Sequence, residues 1–212
     1  MASTYLIPAE EIRREVTIVN SRFIATLAPI ASTDEARAFI KRIRSEFSDA
    51  SHNVPAYILG GGNSLSEYCS DDGEPSGTAG RPALTVLRGS GLGDAAVVVT
   101  RYFGGTLLGT GGLVKAYTEA TQAVVRDVPR AQRIPVHVAL LAIPYNLLER
   151  IRILATRCGG AILDEDFAAD VTLTLRFPIE SFAEFETGLQ ELSAGRLSAE
   201  IIETSEMLVP VS

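Results

Sequence analysis

Apolar positions along this chain recur at two periods, and the switching between them divides it into elements. Residues 15–30 (EVTIVNSRFIATLAPI) alternate with the two-residue period of strands on either side of Asn20-Ser21, which predicts a hairpin. Ser32 and Glu35 then stand three apart, the spacing of a capping box at a helix start. Ala36, Phe39, Ile40, Ile43 and Phe47 follow at intervals of three and four, one face of a helix. Residues 54–60 predict a strand. The Gly-, Ser- and Asp-rich stretch 60–82 reads as one long loop, a length that compact domains reserve for function or disorder. Pro82 suits the first turn of a short helix over 82–90. Residues 97–102 read as a buried strand, and 113–128 as a helix with Leu113, Ala116, Tyr117, Ala120, Ala123 and Val124 on its apolar stripe, ended by Pro129.

The second half has a cleaner rhythm. A strand over 136–143 precedes a helix over 145–160 closed by two glycines. Strands over 161–167 and 171–178 follow, then a helix over 181–194 that opens on Ser181 and Glu184 as a second capping box, then a strand over 201–211. This β-α-β-β-α-β order is the ferredoxin-like pattern. The expectation is an α+β chain of two domains, 1–130 and 131–212, the second ferredoxin-like.

Charge narrows the function classes. The chain of 212 residues carries a net charge of −7. Residues 1–128 hold 12 basic and 14 acidic groups, and the remainder 7 and 12. Neither half has the bulk positive charge of a nonspecific nucleic-acid binder, so a nucleic-acid role needs a local basic patch, and no Lys/Arg run stands out. The N-terminal MASTYLIPAEE lacks the basic and apolar regions of a signal peptide, and no apolar run reaches the length of a membrane span. With only Cys69 and Cys158, far apart, a disulfide framework is excluded and a zinc site is disfavoured. A cytoplasmic location is the expectation.

Two glycine-rich segments concentrate the candidate chemistry. In 102-YFGGTLLGTGG-112, Gly104, Gly105, Gly109, Gly111 and Gly112 follow a buried strand and precede a helix. Such a turn can aim backbone N–H groups at an anion, with Thr110 as helix N-cap and Lys115 in the first turn. Neither the P-loop nor the dinucleotide spacing is present, so an anion cradle, close approach to a partner and tight packing all stay open. In 71-DDGEPSGTAG-80, Asp71, Asp72 and Glu74 could hold Mg²⁺ beside a phosphate, or cap turns, and Thr78 lies in the same segment. His52 and Cys69 flank the long loop, a pairing that could activate a thiol or be coincidence. Arg22, Arg101 and Lys115 would make a basic spot if the fold gathers them.

The two segments in this order, DDGEPSGTAGRPAL and then VVVTRYFGGTLLGTGGLVKAY, closely resemble the signature of the IMPACT/YigZ family. SRFIA at 21–25 and His52-Asn53 resemble it too, and the likeness covers essentially the whole chain. It implies a first domain folded like domain 2 of ribosomal protein S5 and a second like domain V of elongation factor G. For eukaryotic members it implies translational regulation through a protein partner, by way of a separate N-terminal interaction domain that this chain lacks. For bacterial members it implies nucleic-acid or ribosome binding. It implies no catalytic residues. After His52-Asn53 the family pattern has Cys and an aromatic where this chain has Val54-Pro55, which argues against thiol chemistry there. The combined expectation is a translation-linked regulatory protein, a binding protein rather than an enzyme, contacting RNA, the ribosome or a translation factor through its glycine-rich face, with no cofactor. The alternative is a Mg²⁺-dependent nucleotide- or phosphate-binding enzyme built on the same loops.

Overall fold

The computed structural model describes residues 5–61 and 64–211. These fall into two compact units, one gathering the chain up to Gln132 with the last residues from Val209, the other running from Arg133 to Leu208.

In the first unit a short strand β1 (Ile7–Pro8) precedes the hairpin β2 (Ile12–Ile18) and β3 (Ser21–Pro29). Helix α1 (Thr33–Glu46) follows. The Ser32 hydroxyl accepts the Glu35 amide at 3.1 Å, as the capping-box spacing predicts, and the Glu35 carboxylate reaches back to the Ala31 amide at 2.8 Å. Then come β4 (His52–Gly61), β5 (Ser64–Cys69), α2 (Gly80–Gly89), β6 (Ala95–Tyr102) and α3 (Gly109–Asp127). The sheet order is β2-β3-β6-β4-β5, and each pairing is antiparallel.

Strand β6 lies mid-sheet and is covered on both faces. Ala95, Val97 and Val99 turn toward α2 and α3, while Ala96 and Val98 turn toward α1. This double burial is why its sequence is apolar throughout instead of alternating. On the same alternation Arg101 falls on the α2/α3 face.

Two expectations fail here for identifiable reasons. The stretch 60–82 is not one loop, because β5 pairs with β4 from Gly61↔Ser64 to Ala56↔Cys69. Its residues SLSEYC carry little apolar signal because the strand is at the sheet edge and half exposed. Helix α3 begins at Gly109 rather than 113, with Leu108 at its cap and no side-chain cap bond, so Thr110 is not the N-cap. Lys115 therefore lies in the second turn, where the helix dipole no longer opposes it.

The second unit contains most of β7 (Arg130–Ile143), a single 3₁₀ turn (Tyr145–Leu147), α4 (Leu148–Arg157), β8 (Ala161–Phe167), β9 (Val171–Pro178), α5 (Ile179–Ser193) and β10 (Glu200–Val211). The order β10-β7-β9-β8 is the ferredoxin-like arrangement. In its core Phe177 stacks on Phe185 and meets Phe182 edge-on, in one cluster with Ile151 and Leu154. The second capping box does not form: α5 starts at Ile179, and the Ser181 hydroxyl donates to Pro178 O at 3.3 Å.

Candidate functional site

Three strands bring His52, Arg101 and Phe23 side by side at one end of the first sheet, since Arg101 pairs with Phe23 on β3 and with His52 on β4. Arg101 is buried among apolar groups, its guanidinium 5.5 Å from the centre of the Phe23 ring. A charge there needs a partner. The DDGEP segment supplies it: Arg101 Nη1 donates to Glu74 Oε1 at 2.6 Å, and both side chains are almost wholly buried. Tyr117 reaches the same oxygen from α3, its hydroxyl donating at 2.9 Å. Burial, and then the Glu74 charge, push the Tyr117 pKa far above the ordinary phenol range, so the hydroxyl remains a donor at every physiological pH. Arg101 Nη2 lies 3.4 Å from Ser21 Oγ, which also accepts the Gly104 amide at 3.2 Å. Arg101 Nε is buried and finds no acceptor among the described residues.

His52 sits at the rim. Its Nδ1 is 2.8 Å from the Asp72 carbonyl oxygen. A carbonyl only accepts, so Nδ1 carries the proton, and in the neutral ring Nε2 keeps its lone pair. That Nε2 is 3.9 Å from Glu74 Oε1. His52, Glu74, Pro75 and Arg101 form one side of a cleft of about 400 Å³. The other side is the glycine segment and the start of α3: Phe103, Leu107, Leu108, Gly109, Thr110 and Leu113. Leu107 is 86% exposed beside it. Gly104 lets this wall approach the hairpin, because a Cβ there would lie 2.0 Å from Asn20 O, and Gly109 turns into the helix at φ +68°.

Not every predicted residue belongs to this cleft. Asp71 caps α2 from a distance, accepting the amides of Gly77, Ala79 and Gly80 at 2.8, 3.1 and 2.8 Å. Burial opposes its ionisation, but these three donors outweigh it and hold its pKa below the ordinary carboxylate value. Asp72 accepts the Asn53 amide at 2.7 Å and binds Arg44. With Glu74 committed to Arg101 and Tyr117, the three carboxylates have three separate sets of partners and do not form a common ligand set. No group of three His, Cys, Asp or Glu side chains suited to a metal occurs among the described residues. Thr78 is spent on its own turn, its hydroxyl donating to Pro75 O at 2.6 Å. Cys69 pairs with Ala56, further along β4 from His52, and burial raises its thiol pKa.

The basic spot does not assemble either. Arg22 is on the opposite sheet face from Arg101, 2.8 Å from Glu15 and over the Tyr102 ring. Lys115 is exposed on α3 and does not line the cleft. Gly105 adjoins the cleft wall at φ +82°, and Gly111 and Gly112 lie inside the first turn of α3.

The Impact N-terminal domain family matches residues 19–125, and a domain of unknown function (DUF1949) matches residues 141–196. The IMPACT family member YigZ of Escherichia coli is 39% identical over 94% of this chain and 98% of its own length. The chain belongs to the IMPACT family. A Haemophilus influenzae member is 37% identical over 95% of this chain and 98% of its own. Protein IMPACT-A of Xenopus tropicalis is 34% identical over 44% of this chain and 30% of its own. A crystal structure described only as that of a hypothetical protein aligns with a TM-score of 0.63 at 40% identity, over 96% of this chain and 98% of that one. In this IMPACT family member both motif segments that carried the resemblance wall a single cleft. Sequence reasoning missed Tyr117 and Ser21, which do not line the cleft but partner its buried Glu74 and Arg101. Tyr117 was legible only as a stripe residue, although a hydroxyl on an apolar helix face always calls for a partner.

Proposed function

We propose that this IMPACT family member is a regulatory binding protein linked to translation, contacting RNA, the ribosome or a translation factor through the glycine-rich face of its first unit. The translational link is what the family resemblance implies. The single observation that supports this face is the Arg101 Nε–H, a buried donor with no acceptor among the described residues, beside a cleft whose facing wall is the N-terminus of α3, where no side chain of the described residues caps the helix. Donors left open in this way suit an acceptor group supplied by a partner. The apolar wall of Phe103, Leu107 and Leu113 suits the adjoining nonpolar surface. Glu74 already neutralises Arg101, so the cleft offers directional donors more than net positive charge.

Cosedimentation with ribosomes across a salt series tests this reading. The expected result is binding at low salt that Leu107→Asp and Thr110→Glu each weaken by tenfold or more, both being exposed positions where the fold survives. No cosedimentation at low salt, together with no shift of isolated ribosomal RNA or translation factors, would falsify it.

A further inference from the structure

The α1 side of the first sheet carries a second surface. Arg37, Lys41 and Arg44 stand at i, i+4 and i+7 of α1 and so share one face. They and Ile40 line a pocket of about 420 Å³ with Tyr57 of β4 and Tyr68 of β5. The two tyrosines are register partners, stacked with ring centres 5.3 Å apart and planes 22° from parallel. Tyr57 is anchored in the α1-side core, whereas Tyr68 is 44% exposed. An outward-facing ring held flat by a buried one is a rigid stacking platform.

Three cations surround it, only partly neutralised. Arg37 is 3.3 Å from Asp34 where both side chains are strongly exposed, and Arg44 binds Asp72. Lys41 has no carboxylate partner among the described residues. Flat aromatic surface framed by cations is the chemistry that binds a splayed-out base and its flanking phosphates. An acidic peptide would use the cations and leave the platform idle. A duplex would use the cations too, but its stacked bases could not reach Tyr68.

We infer that this pocket binds single-stranded nucleic acid, one base stacking on Tyr68 and adjacent phosphates meeting Arg37, Lys41 and Arg44. The surface is separate from the glycine-rich cleft, which opens on the other face of the sheet.

Fluorescence anisotropy with the full chain tests it, using labelled 12-nucleotide oligo(U) and oligo(dT), a duplex of the same length, and a poly-glutamate peptide. Both single strands should bind, and their relative affinities say which sugar is preferred. Tyr68→Ala should weaken binding roughly 5- to 100-fold, while Tyr68→Phe retains it because the π-face remains. Lys41→Ala should lower the slope of log affinity against log salt by about 0.7. Both positions are exposed, and circular dichroism checks that each variant is folded. Absence of single-strand binding at low salt overturns the inference. So does unchanged affinity in Tyr68→Ala, or tighter binding of the duplex or the peptide.

Discussion

Glu74 collects two hydrogen bonds on one buried oxygen, and the site's stability is concentrated there. Removing one partner of a buried ion pair leaves the other charge uncompensated, at about 3–5 kcal/mol. Glu74→Ala should therefore destabilise the first unit by that order in urea titrations. Arg101→Met and Glu74→Leu combined with Tyr117→Phe should recover most of the loss, since the apolar set leaves neither an orphan charge nor the Tyr117 hydroxyl without its acceptor. Asp71 gives a pH signature. Its pKa is depressed in the folded state, so its contribution is fully present above the ordinary carboxylate pKa and is lost as pH falls through the lower folded value. Asp71→Ala should cost about 1–2 kcal/mol at neutral pH, as loss of a helix cap does, and the cost should shrink below about pH 4. Denaturant midpoints at pH 7 and pH 3 check both halves of that statement. Turn-capping by an Asp of this segment was one of its two readings beforehand, but which carboxylate does so, and the Arg101–Glu74 pair, were not legible. DDGE shows three carboxylates in a row, and only the surrounding strands decide which one meets an arginine.

The elements divide according to where their signal resides. Helix α1 was legible because both its cap and its apolar face are local, and the Ser32–Glu35 box forms as spaced. Strand β5 was not, because an edge strand draws its order from pairing with β4 and not from its own composition. In α3 the glycines hid the first turn: Gly109, Gly111 and Gly112 are poor helix formers, and the packing of Leu113, Ala116 and Tyr117 carries the helix back through them. Lys115, one turn further in and exposed, should be replaceable by Ala with a stability change within about 0.5 kcal/mol and unaltered ribosome cosedimentation. The glycine before this helix is different. Gly104→Ala drives a Cβ into the backbone of Asn20, and should lower the thermal midpoint by several degrees.

At the scale of the whole molecule, each unit buries its own core: the clusters around β6 draw on residues 6–128, and the phenylalanine cluster on residues 139–199. Phe185→Ala should cost about 3–5 kcal/mol, with hydrogen-exchange protection lost in residues 133–208 and retained on β6. Among the described residues no helix is long and apolar enough to cross a membrane. By itself the sequence determined the mixed α+β class, the β-α-β-β-α-β order of the second half and the family, because periodicity, caps and motif strings are local properties of the chain. The tertiary structure alone decided which residues the motifs bring together. The sheet register put Arg101 on a buried face beside His52, the long segment folded over it to deliver Glu74, and the same register carried Arg22 to the opposite side. It also set a stacked tyrosine pair beside the cations of α1. Partnerships between residues distant in the chain are fixed by strand pairing and burial, which local pattern does not encode.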